Sequence, residues 1–299
     1  MTGYLRAVAI SIQSVTKRYG STVALNRLTV HFPAGRLTGF LGPNGAGKTT
    51  TFRACLGLTR AQAGSIEVLG MKVGPATPGI VKRVGAVVEE PGLHKTLNAK
   101  DNMRTAAFVL GRGMQEIPEL LEFVDLSSVA HRKVEGYSKG MRQRLALAMA
   151  MLGDPDVLLL DEPLDGLDPA GQVTLRAKLR ALVDERDKTV VVSSHDMADV
   201  EQLADHVVVI DRGRLVAEGS LADVVGSSGR FAIEVDDVEG AIAALAAFGP
   251  VLEDGKLYAV AGDGSDLARA LAMAGLYPSA LMPERATLEK VFLDLTGRS

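Results

Sequence analysis

Apolar residues are spaced in several distinct ways along the chain. Leu37-Thr38-Gly39-Phe40-Leu41 is a short, mostly apolar run that leads into a glycine-rich stretch, and a helical segment follows from Gly47. Val157-Leu158-Leu159-Leu160 is apolar at every position, and Thr189 to Val192 is similar. Unbroken apolar runs of this length predict strands buried on both faces, hence a parallel sheet covered by helices. Ala146 to Leu152 is apolar all round, which predicts a deeply buried helix. Val207 to Ile210, then Asp211-Arg212-Gly213-Arg214, then Leu215-Val216 predicts a hairpin with a glycine turn. Gly226-Ser227-Ser228-Gly229-Arg230 is a small-residue break and the expected domain boundary. Beyond it the pattern predicts a small α+β module. Its elements are a strand Phe231 to Val235, a helix Val238 to Phe248, short strands around Val251 and Leu257, and helices Ser265 to Ala274 and Leu288 to Leu295.

Composition narrows this picture. The 299 residues leave room for one large α/β domain and a small appendage. The net charge is −3, without the basic excess of an unspecific nucleic-acid binder. From Arg230 onward there are six basic and eleven acidic residues, a net −5, which leaves about +2 for the rest. The tail is therefore an acidic module that gives no basic attraction to a membrane surface. Cys55 is the one cysteine, so an internal disulfide and a cysteine zinc cluster are excluded, which suits a reducing compartment. Cys55 itself reads as a small buried apolar residue. The opening MTGYLRAVAISIQSV has no basic leader or long apolar run, and no segment reaches the ~20 apolar residues that span a bilayer. The expected location is cytoplasmic, with any membrane role exercised through a partner.

The candidate chemistry begins at Gly42-Pro43-Asn44-Gly45-Ala46-Gly47-Lys48-Thr49, with Thr50 next to it. The spacing is glycine, four variable residues, glycine, lysine and threonine. Glycines let the backbone curl so that several N–H groups point inward at phosphates. The helix that follows adds its positive end. Lys48 is suited to neutralise β- and γ-phosphate charge, and the Thr49 hydroxyl to ligate Mg²⁺. The apolar run at Val157 to Leu160 ends in Asp161-Glu162-Pro163. The carboxyl ends of such strands are where α/β sheets hold their ligands. Asp161 is expected to help hold Mg²⁺, and Glu162 to act on an attacking water as general base.

A phosphate loop alone is shared by kinases, GTPases and helicases, and four further features narrow the choice. Tyr137-Ser138-Lys139-Gly140-Met141-Arg142-Gln143-Arg144 resembles the signature motif of ATP-binding-cassette (ABC) proteins. Leu164-Asp165-Gly166-Leu167-Asp168-Pro169 resembles that family's D-loop, and Ser193-Ser194-His195-Asp196 its switch-histidine loop. Tyr19-Gly20 matches its adenine-stacking position. The resemblance implies an ABC cassette, with a mostly parallel sheet core, an antiparallel β subdomain and a helical subdomain. It implies a nucleotide-binding domain over 1–225, its helical signature subdomain at about 90–153, and an accessory domain over 230–299. It also implies ATP as substrate and a head-to-tail homodimer in which Ser138 and Gly140 of one chain meet the γ-phosphate held by the other. His195 is then expected to contact the γ-phosphate and help orient Glu162, and Tyr19 to stack on adenine. His31, His94, His131 and His206 match no motif and are expected to be structural.

The chain departs from the family pattern in two places. In Val84-Gly85-Ala86-Val87-Val88-Glu89-Glu90-Pro91, Glu89 falls where the family has a glutamine that touches Mg²⁺ or the attacking water. A carboxylate there still ligates a cation but adds negative charge beside the triphosphate. In the signature motif Tyr137, Lys139 and Met141 replace leucine, glycine and glutamine. Lys139 either adds positive charge to the site or is a solvated surface residue. These departures, with Thr96-Leu97-Asn98-Ala99 and the tail Ala286 to Gly297, resemble the ATPases of bacterial ABC-2 type exporters of the bacitracin- and daunorubicin-resistance kind. That resemblance implies an ATP-hydrolysing subunit that powers efflux of a drug, peptide or lipid-like cargo. It would work through a separate polytopic permease docked near Pro91 to Asn102. The alternative is a non-transport ABC ATPase acting on ribosomes or DNA. Such proteins usually carry two cassettes, long coiled coils or zinc cysteines, and none of these is legible here.

Overall fold

A computed structural model describes residues 8–74, 78–89, 92–285 and 287–296. Glu90 and Pro91 after the expected glutamine position, and Ala286 and Gly297 of the tail motif, lie outside the described residues. The chain forms two compact units, Met1–Leu221 and Ala222–Ser299.

The larger unit is built on a six-stranded sheet. Across it the strands run Arg214–Ser220, His206–Asp211, Leu37–Leu41, Thr189–Ser194, Val157–Asp161 and Val84–Val87. The last five pair in parallel, and the edge strand Arg214–Ser220 is antiparallel to His206–Asp211, which closes the expected hairpin. Every residue of Leu37–Leu41, Val157–Asp161 and Thr189–Ser194 is buried. The reason is that both faces of the sheet carry a core. Leu158, Leu160, Val190 and Val192 point to one, shared with the helices Ala99–Val109, Lys139–Ala150 and Pro169–Asp184. Val157, Leu159, Val191 and Val208 point to the other. Successive strand residues alternate faces, so an apolar run at every position is what two cores require. The second core is completed by Phe52 and Cys55 of the helix Lys48–Cys55 and by a four-stranded antiparallel sheet. That sheet is ordered Thr22–Pro33, Val8–Tyr19, Ala63–Val68, Met71–Lys72. Cys55 is buried, which pushes its thiol up to about 12 and leaves it an inert packing residue.

The helix expected around Ala146–Leu152 spans Lys139–Ala150. Leu145 to Ala148 are its buried residues, while its first turn stays accessible. Ahead of the Ala99–Val109 helix, the stretch His94 to Asn98 is tied down by Asn102, which is buried. Its amide donates to the His94 and Asn98 carbonyls at 3.1 and 2.9 Å and accepts from the His94 N–H at 2.8 Å.

The smaller unit is a four-stranded antiparallel sheet ordered Val251–Glu253, Lys256–Val260, Ser227–Glu234, Ala280–Arg285. With the helices Val238–Ala244 and Gly264–Met273 it has βαββαβ connectivity, the split βαβ arrangement. Ile233, Leu257, Ala259, Leu267 and Leu271 form its core. The strand Ala280–Arg285 is absent from the sequence reading. Pro283 lies within it, and a proline is tolerated there because this is an edge strand. Among the described residues no helix is long and apolar enough to cross a membrane.

Candidate functional site

The parallel strands place the candidate residues at their carboxyl ends. Leu37–Leu41 runs into Gly42, and the helix Lys48–Cys55 opens at Gly47, which has φ 111°. That backbone conformation favours glycine, and a Cβ there would lie 2.7 Å from the Ala24 carbonyl oxygen. The loop between is held from outside by the hairpin turn, whose Gly213 N–H donates to the Ala46 carbonyl at 2.8 Å. Asn44 and Gly45 are exposed at its tip, whereas Lys48 is buried. Lys48 Nζ donates to the Gly42 carbonyl at 2.6 Å and sits 3.1 Å from Glu162 Oε1. The loop thus curls around its own lysine, and the Ala46 N–H closes its turn by donating to the Pro43 carbonyl at 3.0 Å.

Asp161 closes the Val157–Asp161 strand, nearly buried, and its carboxylate is held by two hydroxyls. Thr49 Oγ1 donates to Asp161 Oδ2 at 2.7 Å, and Ser193 Oγ donates to Oδ1. Ser193 also accepts the Glu162 N–H at 2.9 Å, so one buried hydroxyl holds the Asp161 carboxylate and the Glu162 backbone. Glu162 has φ 49°, an uncommon conformation outside glycine and one that concentrates at functional sites. Its Oε2 meets His195 Nδ1 at 2.9 Å, so Lys48 and His195 grip the same carboxylate from two sides. His195 follows directly on the Thr189–Ser194 strand, and Asp196 beyond it caps the helix Met197–Glu201. The structure therefore brings together Lys48, Thr49, Asp161, Glu162 and His195. Thr50, next along the Lys48–Cys55 helix, is part-buried.

Glu89 is exposed, has φ 67° and pairs through Oε1 with Arg53 Nη2 at 2.5 Å. It borders a cavity of about 490 Å³ that Thr49, Asp161, Glu162, Asp165 and Lys139 also line. Ser138 caps the helix Lys139–Ala150 by accepting the Met141 N–H at 3.2 Å. Gly140 lies against Leu167, and Lys139 Nζ is 3.3 Å from Asp165 Oδ2, so the signature turn and the D-loop meet. Tyr137, in place of the usual leucine, is buried and donates from its hydroxyl to the Val129 carbonyl at 2.8 Å. Burial raises its phenol above the ordinary value. Tyr19 ends the strand Val8–Tyr19 on the hairpin whose Ala24 walls the phosphate loop, and it is 45% exposed. Lys17 Nζ lies 4.8 Å from its ring centroid.

Three side chains go beyond the sequence reading: Ser193, Asn102 and Arg53. Ser193 stood in the switch motif without a role of its own, and its position next to the Asp161–Glu162 strand end is the signal. Among the described residues no group of three or more His, Cys, Asp or Glu side chains could hold a metal ion. The paired oxygens of Thr49 and Asp161 suit instead a hard cation that takes most of its ligands from water and phosphate.

The family model described as ABC transporter matches residues 25–165. The chain is 40% identical over 210 residues to a bacitracin transport ATP-binding protein of Bacillus licheniformis, covering 70% of this chain and 69% of that one. It is 36% identical over 304 residues to a daunorubicin resistance ATP-binding protein of Streptomyces coeruleorubidus, covering 97% and 96%. A bacterial ABC transporter cassette solved as a dimer superposes with a TM-score of 0.65 at 25% identity, over 71% of this chain and 98% of that one. The chain belongs to the ATP-binding proteins of ABC transporters.

Proposed function

We infer that this chain is the ATP-hydrolysing subunit of an ABC exporter and works as a homodimer on a separate polytopic permease. The observation that carries the reading is the convergence of Lys48, Thr49, Asp161, Glu162 and His195 at the ends of three parallel strands. Relatives named for bacitracin transport and daunorubicin resistance support efflux as its direction. Residues 1–225 serve as the nucleotide-binding domain, with its helical part at about 90–153, and 230–299 as an accessory module.

In this reading N–H groups of the Gly42–Thr50 loop, those of Gly45 and Gly47 to Thr50 foremost, meet the phosphates, and Lys48 turns from the Gly42 carbonyl and Glu162 toward them. Tyr19 stacks on adenine. Thr49 and Asp161 would hold Mg²⁺, with Glu89 bordering the same cavity, and a bound ion would neutralise charge on the β- and γ-phosphates. Glu162 accepts the proton of the attacking water as its oxygen bonds to the γ-phosphorus and the bond to the β–γ bridging oxygen breaks. His195 holds the Glu162 carboxylate in line. Ser138 and Gly140 present a helix N-terminus to the nucleotide of the second chain. Nucleotide then bridges the two chains, and hydrolysis releases them.

The test is affinity capture of the tagged chain from detergent-solubilised host membranes, with mass spectrometry of its companions. A polytopic membrane protein at about equal stoichiometry is the expected result. Ribosomal or DNA-bound companions without a membrane partner would end the exporter reading.

A further inference from the structure

We propose that Arg53 is a positioning residue whose guanidinium neutralises Glu89, and that this is what allows a carboxylate to work where the family has a neutral glutamine. The inference rests on the nucleotide-site reading above. Arg53 lies in the last turn of the Lys48–Cys55 helix, so the element that begins at the phosphate loop also carries the counter-charge. Its Nη2 reaches Glu89 Oε1 at 2.5 Å. Glu89 borders the same cavity as Thr49 and Asp161, the side chains assigned to the cation.

Charge bookkeeping in that cavity gives the pair its purpose. Glu162 is held by Lys48 and His195, Asp165 by Lys139, and Asp161 by two hydroxyls; Lys95 and Arg142 also line the cavity, but the guanidinium in contact with Glu89 is that of Arg53. Glu89 adds a full negative charge beside a polyanionic substrate, which a glutamine amide would not. Arginine stays protonated at every working pH and offers a fixed planar fork, so its compensation is permanent. It engages Glu89 through Oε1, while the residue lines the cavity. As an isolated surface pair, partly exposed on both sides, this contact contributes little to stability. Its effect is on the potential felt by a triphosphate, which in a shared cavity falls off more slowly than in bulk water.

The test is equilibrium binding of a fluorescent ATP analogue to wild type, Arg53→Met, Glu89→Gln and the double variant. Each is measured with Mg²⁺ and with chelator, and each is checked by thermal melting. Arg53→Met is expected to weaken binding about fivefold in the Glu89 background, under both conditions. In the Glu89→Gln background the same change should have almost no effect, because no charge remains to neutralise. Equal weakening in both backgrounds would overturn the proposal, since Arg53 would then act independently of Glu89. Unchanged affinity in Arg53→Met would overturn it as well, while leaving the nucleotide site intact. Failure of the wild type to bind the analogue at all would overturn the site reading, and this proposal with it.

Discussion

Ser193 joins the Asp161 carboxylate to the backbone of Glu162, the two residues on which the proposed chemistry depends. Its hydroxyl donates to Asp161 and accepts the Glu162 N–H, and it is fully buried. Ser193→Ala leaves a buried carboxylate oxygen and a backbone donor without partners, a loss of about 1–3 kcal/mol. Chemical denaturation should register that loss, and ATP turnover should fall with it because Glu162 is no longer held at φ 49°. Unchanged stability would mean that water replaces the hydroxyl at no cost. Gly47→Ala is expected to cut nucleotide affinity about tenfold or more, because φ 111° and the Ala24 carbonyl at 2.7 Å leave no room for a side chain without moving the loop. Isothermal titration with ATP measures it, and retention of full affinity would contradict the role given to this turn.

Among the elements, the parallel strands were the most legible in the sequence. Val157–Leu160 and Val190–Val192 are apolar at every position because each strand packs on two cores, and their shortness marks them as strands rather than helices. The strand Ala280–Arg285 was not legible, because Pro283 masks it and an edge position is decided by tertiary context. The Arg53–Glu89 contact had no sequence signal either. The two residues stand 36 positions apart on elements that only the fold brings together. His206, which matched no motif, opens the strand His206–Asp211, and its Nδ1 is shielded from solvent with no partner among the described residues. Burial holds its imidazole below the ordinary value of 6.5, so the unfolded chain takes up the proton more readily. Stability from this group is therefore complete above about pH 6.5 and declines as the pH drops below it. Denaturation of the larger unit at pH 5 to 8 should show this slope, and His206→Leu should flatten it. An unchanged slope in the variant would place the acid sensitivity elsewhere.

At the scale of the whole molecule, the motifs fall into two groups. Lys48, Thr49, Asp161, Glu162 and His195 converge within one chain. Ser138 and Gly140 sit at a helix start beside the D-loop, with an N-terminus that the proposed dimer turns toward the partner's nucleotide. Glu162→Gln keeps the shape of the carboxylate and its reach to Lys48 and His195 but removes its basicity. Phosphate release should fall about 10²- to 10⁴-fold while ATP remains bound. The measurement that bears most directly on an ATP-bridged, hydrolysing dimer is the solution mass of Glu162→Gln with Mg-ATP, recorded beside its phosphate release. The expected result is a species of two chains that holds ATP and barely turns it over, reverting to one chain when nucleotide is removed. A variant that hydrolyses at the wild-type rate, or that binds ATP and remains a single chain, would contradict it.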